Sequence, residues 1–287
     1  MRGRRPVLDA AQARALAHVA ALAEGPPLPA GCTITVHFHP ERGAGGRSVL
    51  AALADEGVYR SQFVTGTSNG GLTAHLGGDR WRWESRLFGG AYDASPPESR
   101  PIYGALDARG RSEGAAPRFG SAYLRLRPEV VARASFCWPD SVFEPTHFGV
   151  ASRMGLVAQA EAAAHSTDPL DDYIEAQVHG ELQLARDVAA VVLDPCFRDT
   201  AVAEAAARLP CRVEWHGGYS LGVETLRAQP AYRGREIVAL GEALAVDGQL
   251  DAAVIGAARA TGRHDEQAIK RLWHCVARFG GVRGAGT

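Results

Sequence analysis

The chain has 287 residues, of which 46% are hydrophobic and 22% charged, with a net charge of −1 at neutral pH. This is the profile of an ordinary folded chain, long enough for one large domain or a domain with an appendage. Near-neutral charge excludes a global basic field for nucleic acid, though not a local basic groove. Lys270 is the only lysine, which leaves Schiff-base chemistry and Walker-type phosphate loops with one remote candidate. Cys32, Cys137, Cys196, Cys211 and Cys275 are scattered and form no CxxC pair, so neither a Cys-rich zinc site nor a disulfide framework is expected.

The N-terminus starts basic, but Asp9, Gln12, Arg14 and His18 interrupt the apolar run that a signal peptide needs. No other segment approaches a membrane span, so a cytoplasmic protein is expected. Residues 8–23 carry a helical apolar pattern that Gly25-Pro26-Pro27 ends. Residues 32–40 alternate as a strand, with Ile34, Val36 and Phe38 on one side and Thr35, His37 and His39 on the other. A glycine-rich turn at 41–46 and a helix over 47–56 follow. Residues 61–71 are rich in Gly, Ser and Thr, a composition that brings backbone amides close to a ligand or makes a surface loop. The stretch 75–125 concentrates Gly, Arg and aromatic residues. Strands are expected at 119–126, 133–136 and 188–195, with an amphipathic helix at 152–164 and a cap or turn at Asp140-Ser141. Beyond residue 200 the spacing predicts helices at 200–209, 219–228, 235–246, 250–260 and 265–279, with a β stretch at 211–216 and a disordered tail at 280–287. Three regions result: an N-terminal helix (1–30), an α+β catalytic-type core (31–199) and a mainly helical C-terminal region (200–287).

The chain is organised around Tyr173-Ile174-Glu175-Ala176-Gln177-Val178-His179-Gly180. As a strand it places Ile174, Ala176 and Val178 on one face and Glu175, Gln177 and His179 on the other. The polar face is an active-site wall, or the solvated face of an edge strand. A helix, with Glu175 and His179 one turn apart, is the other option. His37 and His39 share a strand face, a spacing familiar from metal ligands, with Glu175, His179 or Asp194 available to complete a set. Arg42 is placed to hold a phosphate bidentately. No GxSxG elbow is present.

A strand ending in His or Arg, a helix, a Ser/Thr-rich segment and a late strand with Glu-x-Gln or Gln-x-Glu resembles the order found in ADP-ribosyltransferases. Here His37 and Arg42, then Ser61 through Ser68, then Glu175-Ala176-Gln177 carry that resemblance. The blocks VHFHPER, QFVTGTSNGG, RPIYGAL, PRFGSAYLRL and DDYIEAQVHG, over residues 33–198, also resemble a bacterial family of unknown function. Several of these blocks further resemble toxin or phage-associated domains of ADP-ribosyltransferase type. The resemblance implies an α+β fold with a mixed or antiparallel β core of ADP-ribosyltransferase-like type, flanking helices and a helical C-terminal region. It implies NAD as the cosubstrate and a protein, nucleic acid or small molecule as acceptor, with no membrane partner. By it, Ser61, Thr65, Thr67 and Ser68 support the nicotinamide ribose, and His37, His39 and Arg42 meet the phosphates or the adenosine ribose. Glu175 stabilises an oxocarbenium-like transition state, and Gln177 or His179 positions the acceptor. The sequence departs from the pattern in placing glutamate before glutamine, and in having Thr65-Gly66-Thr67-Ser68 in place of Ser-Thr-Ser.

Two other classes compete. One is a hydrolase or nuclease with a divalent metal on His37, His39 and Glu175. The other is a binding module without turnover, using the arginine–aromatic stretch 80–103 to stack bases or a peptide.

Overall fold

Alternating apolar residues build one long sheet. The computed structural model describes residues 7–44, 47–66, 73–163 and 168–281. Thr67, Ser68, residues 45–46, the end of the 152–164 helix and most of the 280–287 tail lie outside them. In chain order the strands are β1 (Thr33–Phe38), β2 (Ile102–Asp107), β3 (Ala122–Leu126), β4 (Ala134–Trp138), β5 (His147–Val150), β6 (Ile174–Val178), β7 (Val188–Leu193) and β8 (Arg212–Trp215). They lie in the order β8-β7-β3-β1-β2-β6-β4-β5. Every neighbouring pair is antiparallel except β7–β8. The fold is therefore α+β with a mostly antiparallel sheet.

The helices that matter for the site are α1 (Ala10–Leu22), α2 (Val49–Glu56), α3 (Asp79–Leu87), α4 (Leu156–Ala163), α5 (Ala201–Ala207), α6 (Arg235–Leu244), α7 (Ala252–Ala260) and α8 (Glu266–Phe279). Local chemistry sets their ends. Asp9 and Gln12 close a capping box on α1, and Ser48 caps α2, which Gly57 ends in the left-handed region at φ 68°.

Ile34, Val36 and Phe38 of β1 and Ile174, Ala176 and Val178 of β6 point into the main core. That core also takes Leu50 and Leu53 of α2, Leu156 of α4 and Val202 of α5, and it continues into α6–α8 through Ile237, Ile255 and Trp273. The opposite sheet face is covered at one end by α1 and α3, whose Ala15, Val19, Trp83 and Leu87 pack with Phe88, Tyr92, Cys137 and Val150. Trp83, Phe88 and Tyr92 thus fill a core and offer no surface for stacking bases or a peptide.

β6 is an interior strand between β2 and β4, buried at every position. This overturns both the edge-strand and the helix readings of the 173–180 stretch. No helix among the described residues is long and apolar enough to cross a membrane.

Candidate active site

The polar face of β6 carries two structures, a sealed network and an open floor. In the sealed part, Gln177 Nε2 donates to Glu175 Oε1 at 2.9 Å, and Ser135 Oγ on β4 donates to Gln177 Oε1 at 2.9 Å. A serine hydroxyl has one proton, so His179 Nε2–H donates to Ser135 Oγ at 2.9 Å. That tautomer leaves Nδ1 to accept from the Tyr92 hydroxyl at 2.7 Å. Burial, with Arg133 nearby, lowers the His179 pKa to about 3, which keeps the ring neutral.

Glu175 is where this chain of bonds reaches open space. Its Oε2 accepts from Ser141 Oγ at 2.8 Å, and Ser141 in turn accepts from Arg80 Nη1 at 3.0 Å. Ser141 Oγ also lies 3.1 Å from Asp140 Oδ1, while Tyr173 donates its hydroxyl to the other Asp140 oxygen. Two carboxylates thus share one hydroxyl proton. Burial, and then the charge of Asp140, raise the Glu175 pKa to about 7, opposed by Arg80 and the bonds from Gln177 and Ser141. Arg80 itself lies over the Tyr103 ring at 4.1 Å, and the Tyr103 hydroxyl donates to Glu84, which pairs with Arg100 at 2.6 Å. Cys137, 3.7 Å from Glu175, is held as the thiol by burial and by that carboxylate.

In front of Glu175 lies a cleft of about 1020 Å³. That is at the upper end of the roughly 300–1,000 Å³ usual for small-molecule sites. Thr35, Tyr103, Ala105 and Glu175 of the sheet form its floor. Ser61, Gln62 and Thr65 stand on one side, and His39, Glu41, Arg42 and Arg259 on another. Three distant segments, the histidine strand, the small-hydroxyl segment and the polar face of β6, therefore meet in one cavity.

The expected site residues are not equivalent within it. Glu175, His37, His39, Arg42, Ser61 and Thr65 line the cleft, whereas Gln177 and His179 lie behind Glu175 and do not. His37 is fully engaged: Nδ1–H donates to the Gly120 carbonyl at 3.1 Å, and Nε2 accepts from the Ala116 N–H at 3.2 Å. Burial lowers its pKa to about 3. It pins the 114–120 loop to the sheet and has no nitrogen left for a ligand. His39 meets Trp273 edge-on at 5.2 Å, and burial followed by the charges of Arg259 and Arg42 holds it well below the usual imidazole range. Ser61 donates to the Pro97 carbonyl at 2.8 Å. Thr67 and Ser68 lie outside the described residues.

The metal reading does not fit this geometry. Among the described residues no group of three or more His, Cys, Asp or Glu is placed to hold an ion. Strand β2 stands between β1 and β6, with Thr35 opposite Ala105 and Ala105 opposite Glu175. Thr35 and Glu175 are thus two strand spacings apart, about 9.5 Å; His37, two residues further along β1, is farther still from Glu175 and is already occupied. Asp194 caps Cys196 and accepts from the Tyr219 N–H, so it too is spoken for.

Sequence reading missed Glu41 and Arg259, and took in Arg80 and Tyr103 only as part of the arginine–aromatic stretch 80–103. It noted Asp140-Ser141 as a cap, and Asp140 does cap the turn Ser141–Phe143. The signal that was present is Tyr173, which shares the alternation of Glu175. Lys270, expected far from the polar blocks, is half-buried, and its pKa is lowered by burial and then by Arg118, with Asp140 and Arg42 also in electrostatic reach.

The family described as "Protein of unknown function (DUF3626)" matches residues 33–165 and 155–279. The chain belongs to this family. Its two matched segments contain every cleft residue named above, including Arg259 in the C-terminal region, so the family match extends beyond the 33–198 span expected from the sequence blocks. No curated protein matches the chain.

Proposed function

We propose that the cleft binds NAD and that the protein transfers ADP-ribose from it to an acceptor, or hydrolyses it. One observation carries this reading: the buried Glu175 carboxylate sits on the floor of a dinucleotide-sized cleft whose walls include His39, Arg42, Ser61 and Thr65. In the reaction the bond between C1′ of the nicotinamide ribose and the nicotinamide nitrogen breaks. Nicotinamide leaves with the electron pair, and C1′ becomes oxocarbenium-like. Ionised Glu175, largely buried on the cleft floor, stabilises that charge. Water or another nucleophile then attacks C1′ and gives up a proton, for which Asp140 is the nearest second carboxylate. The cationic side chain of Arg42 on the cleft wall suits the pyrophosphate. Gln177, fully buried beside Tyr103 and absent from the cleft lining, supports Glu175 and does not meet the acceptor.

Nicotinamide release from NAD, followed chromatographically, tests this. The wild-type protein is expected to release it, and Glu175→Gln to do so roughly 100- to 1000-fold more slowly, the usual effect of removing a group that stabilises transition-state charge. Absence of both NAD binding and cleavage at millimolar concentrations would end this reading. Tight NAD binding without turnover would reduce the protein to a sensor of the same ligand.

A further inference from the structure

At the rim of the cleft three largely buried side chains approach one another within ion-pair range but without hydrogen bonds. His39 follows β1, Glu41 lies two residues on, and Arg259 comes from α7. Both Glu41 carboxylate oxygens, His39 Nδ1 and Arg259 Nη1 lack a hydrogen-bond partner. Glu41 Oε1 is 3.5 Å from Arg259 Nη1 and 3.8 Å from His39 Nδ1, too far for good hydrogen bonds. Arg259 also reaches Glu266, and Arg42 adds a second cation to the surroundings. The residues are 6%, 18% and 9% exposed in the order His39, Glu41, Arg259, and all three line the cleft.

Buried polar atoms without hydrogen bonds are costly, and the loose ion pair to Arg259 leaves both Glu41 oxygens with capacity to accept. Packing holds the arrangement in place: a Cβ on Gly256 of α7 would meet Glu41 Cγ at 2.5 Å, so glycine there lets the carboxylate lie against the helix. The missing partner must offer two donors to Glu41 and an acceptor to Arg259. A cation is disfavoured by Arg259 and Arg42, and a phosphate by Glu41 itself. A vicinal diol satisfies all of these demands, because each hydroxyl can donate to one carboxylate oxygen while an oxygen lone pair accepts from Arg259. Carboxylates hold the 2′-hydroxyl of NAD in dinucleotide sites for the same reason.

We infer that Glu41 and Arg259 form a ribose-diol subsite that makes the cleft select NAD over NADP. The inference rests on the NAD reading above, and it gives the C-terminal region a part in the site through Arg259. A 2′-phosphate would bring a dianion against Glu41 in a desolvated corner. Burial pushes the Glu41 carboxyl up to about 7 in the free protein, and two hydroxyl donors would pull it back down, so binding near neutral pH releases a proton.

The test is calorimetric titration of wild type, Glu41→Gln and Glu41→Asp with NAD and with NADP, beside a thermal melt of each variant. Wild type is expected to bind NAD at least ~10-fold more tightly than NADP. Loss of a hydrogen bond to a charged group corresponds to roughly 10- to 100-fold in affinity. Glu41→Gln should therefore weaken NAD binding by about that factor and bring the two ligands within about threefold of each other, with no fall in Tm. Glu41→Asp keeps the charge and shortens the reach, so NAD binding should weaken while NADP stays rejected; this variant serves where Glu41→Gln does not fold. Equal wild-type affinity for the two ligands, or an unchanged ratio in Glu41→Gln, would overturn the subsite and leave the NAD reading standing. If wild type bound neither ligand, the NAD reading itself would fail, and the subsite with it.

Discussion

At the scale of single residues, the proposed chemistry turns on Glu175. Its carboxylate is useful to an oxocarbenium-like centre only when ionised, and burial together with Asp140 raises its pKa to about 7. Proton loss on raising the pH therefore switches the site on: kcat/KM for NAD cleavage should rise with pH, be half-maximal near 7 and level off above. Asp140→Asn removes the neighbouring negative charge, so its limb should move to lower pH; an unmoved limb would show that Asp140 does not act on Glu175. The alternation of polar residues at 173, 175, 177 and 179 was readable from the sequence because strand geometry has a period of two. Which of them faces a ligand was not. Gln177 is fully buried beside Tyr103 and bonded to Ser135 and Glu175, and His179 packs against Tyr92 and Phe88. The covering residues come from up to about 90 positions away, where no local pattern reports them. The paired histidines show the same limit. Their shared face was visible, but the loop whose backbone uses up both nitrogens of His37 was not.

At the scale of elements, the site depends on β4, β6 and α3 holding one another in register. Ser135 on β4 satisfies two buried groups at once, the Gln177 carbonyl oxygen and the His179 Nε2–H. Ser135→Ala leaves both without a partner, at about 1–3 kcal/mol for each orphaned group. Urea unfolding should show a loss of about 2 kcal/mol or more, and a loss below about 0.5 kcal/mol would mean water replaces the hydroxyl. The elements that sequence patterning found are those whose periodicity and caps agree, such as α1 with its Asp9–Gln12 box and α2 with its Ser48 cap. Two it missed break local rules. The segment DRWRWESRL of α3 is strongly polar, because Arg80 and Glu84, one helical turn apart, are buried only by pairing with Ser141, Tyr103 and Arg100. In β2, Gly104 interrupts the strand pattern, yet a Cβ there would meet the Thr35 carbonyl oxygen of β1 at 2.7 Å, so close strand approach demands glycine.

At the scale of the whole molecule, one apolar core links the sheet to the C-terminal helices. Trp273 of α8 is fully buried, donates to the Pro117 carbonyl at 2.9 Å and meets both His39 and Tyr219 edge-on. Trp273→Ala should cost about 3–5 kcal/mol, as for other buried aromatic truncations, and it should also weaken NAD binding by loosening His39. Normal affinity in a destabilised variant would separate α8 from the site. The composition of residues 200–287 showed helices, but not that α7 would send Arg259 to the cleft, since that contact joins positions over 200 residues apart. In the proposed complex NAD fills the cleft with Glu175 beneath the reacting carbon. Nicotinamide release by wild type and Glu175→Gln, measured side by side from pH 5 to 9, tests it most directly. Release by wild type that rises through pH 7 and is roughly 100- to 1000-fold slower in the variant is the predicted result. Equal rates in the two proteins, or none in either, would contradict it.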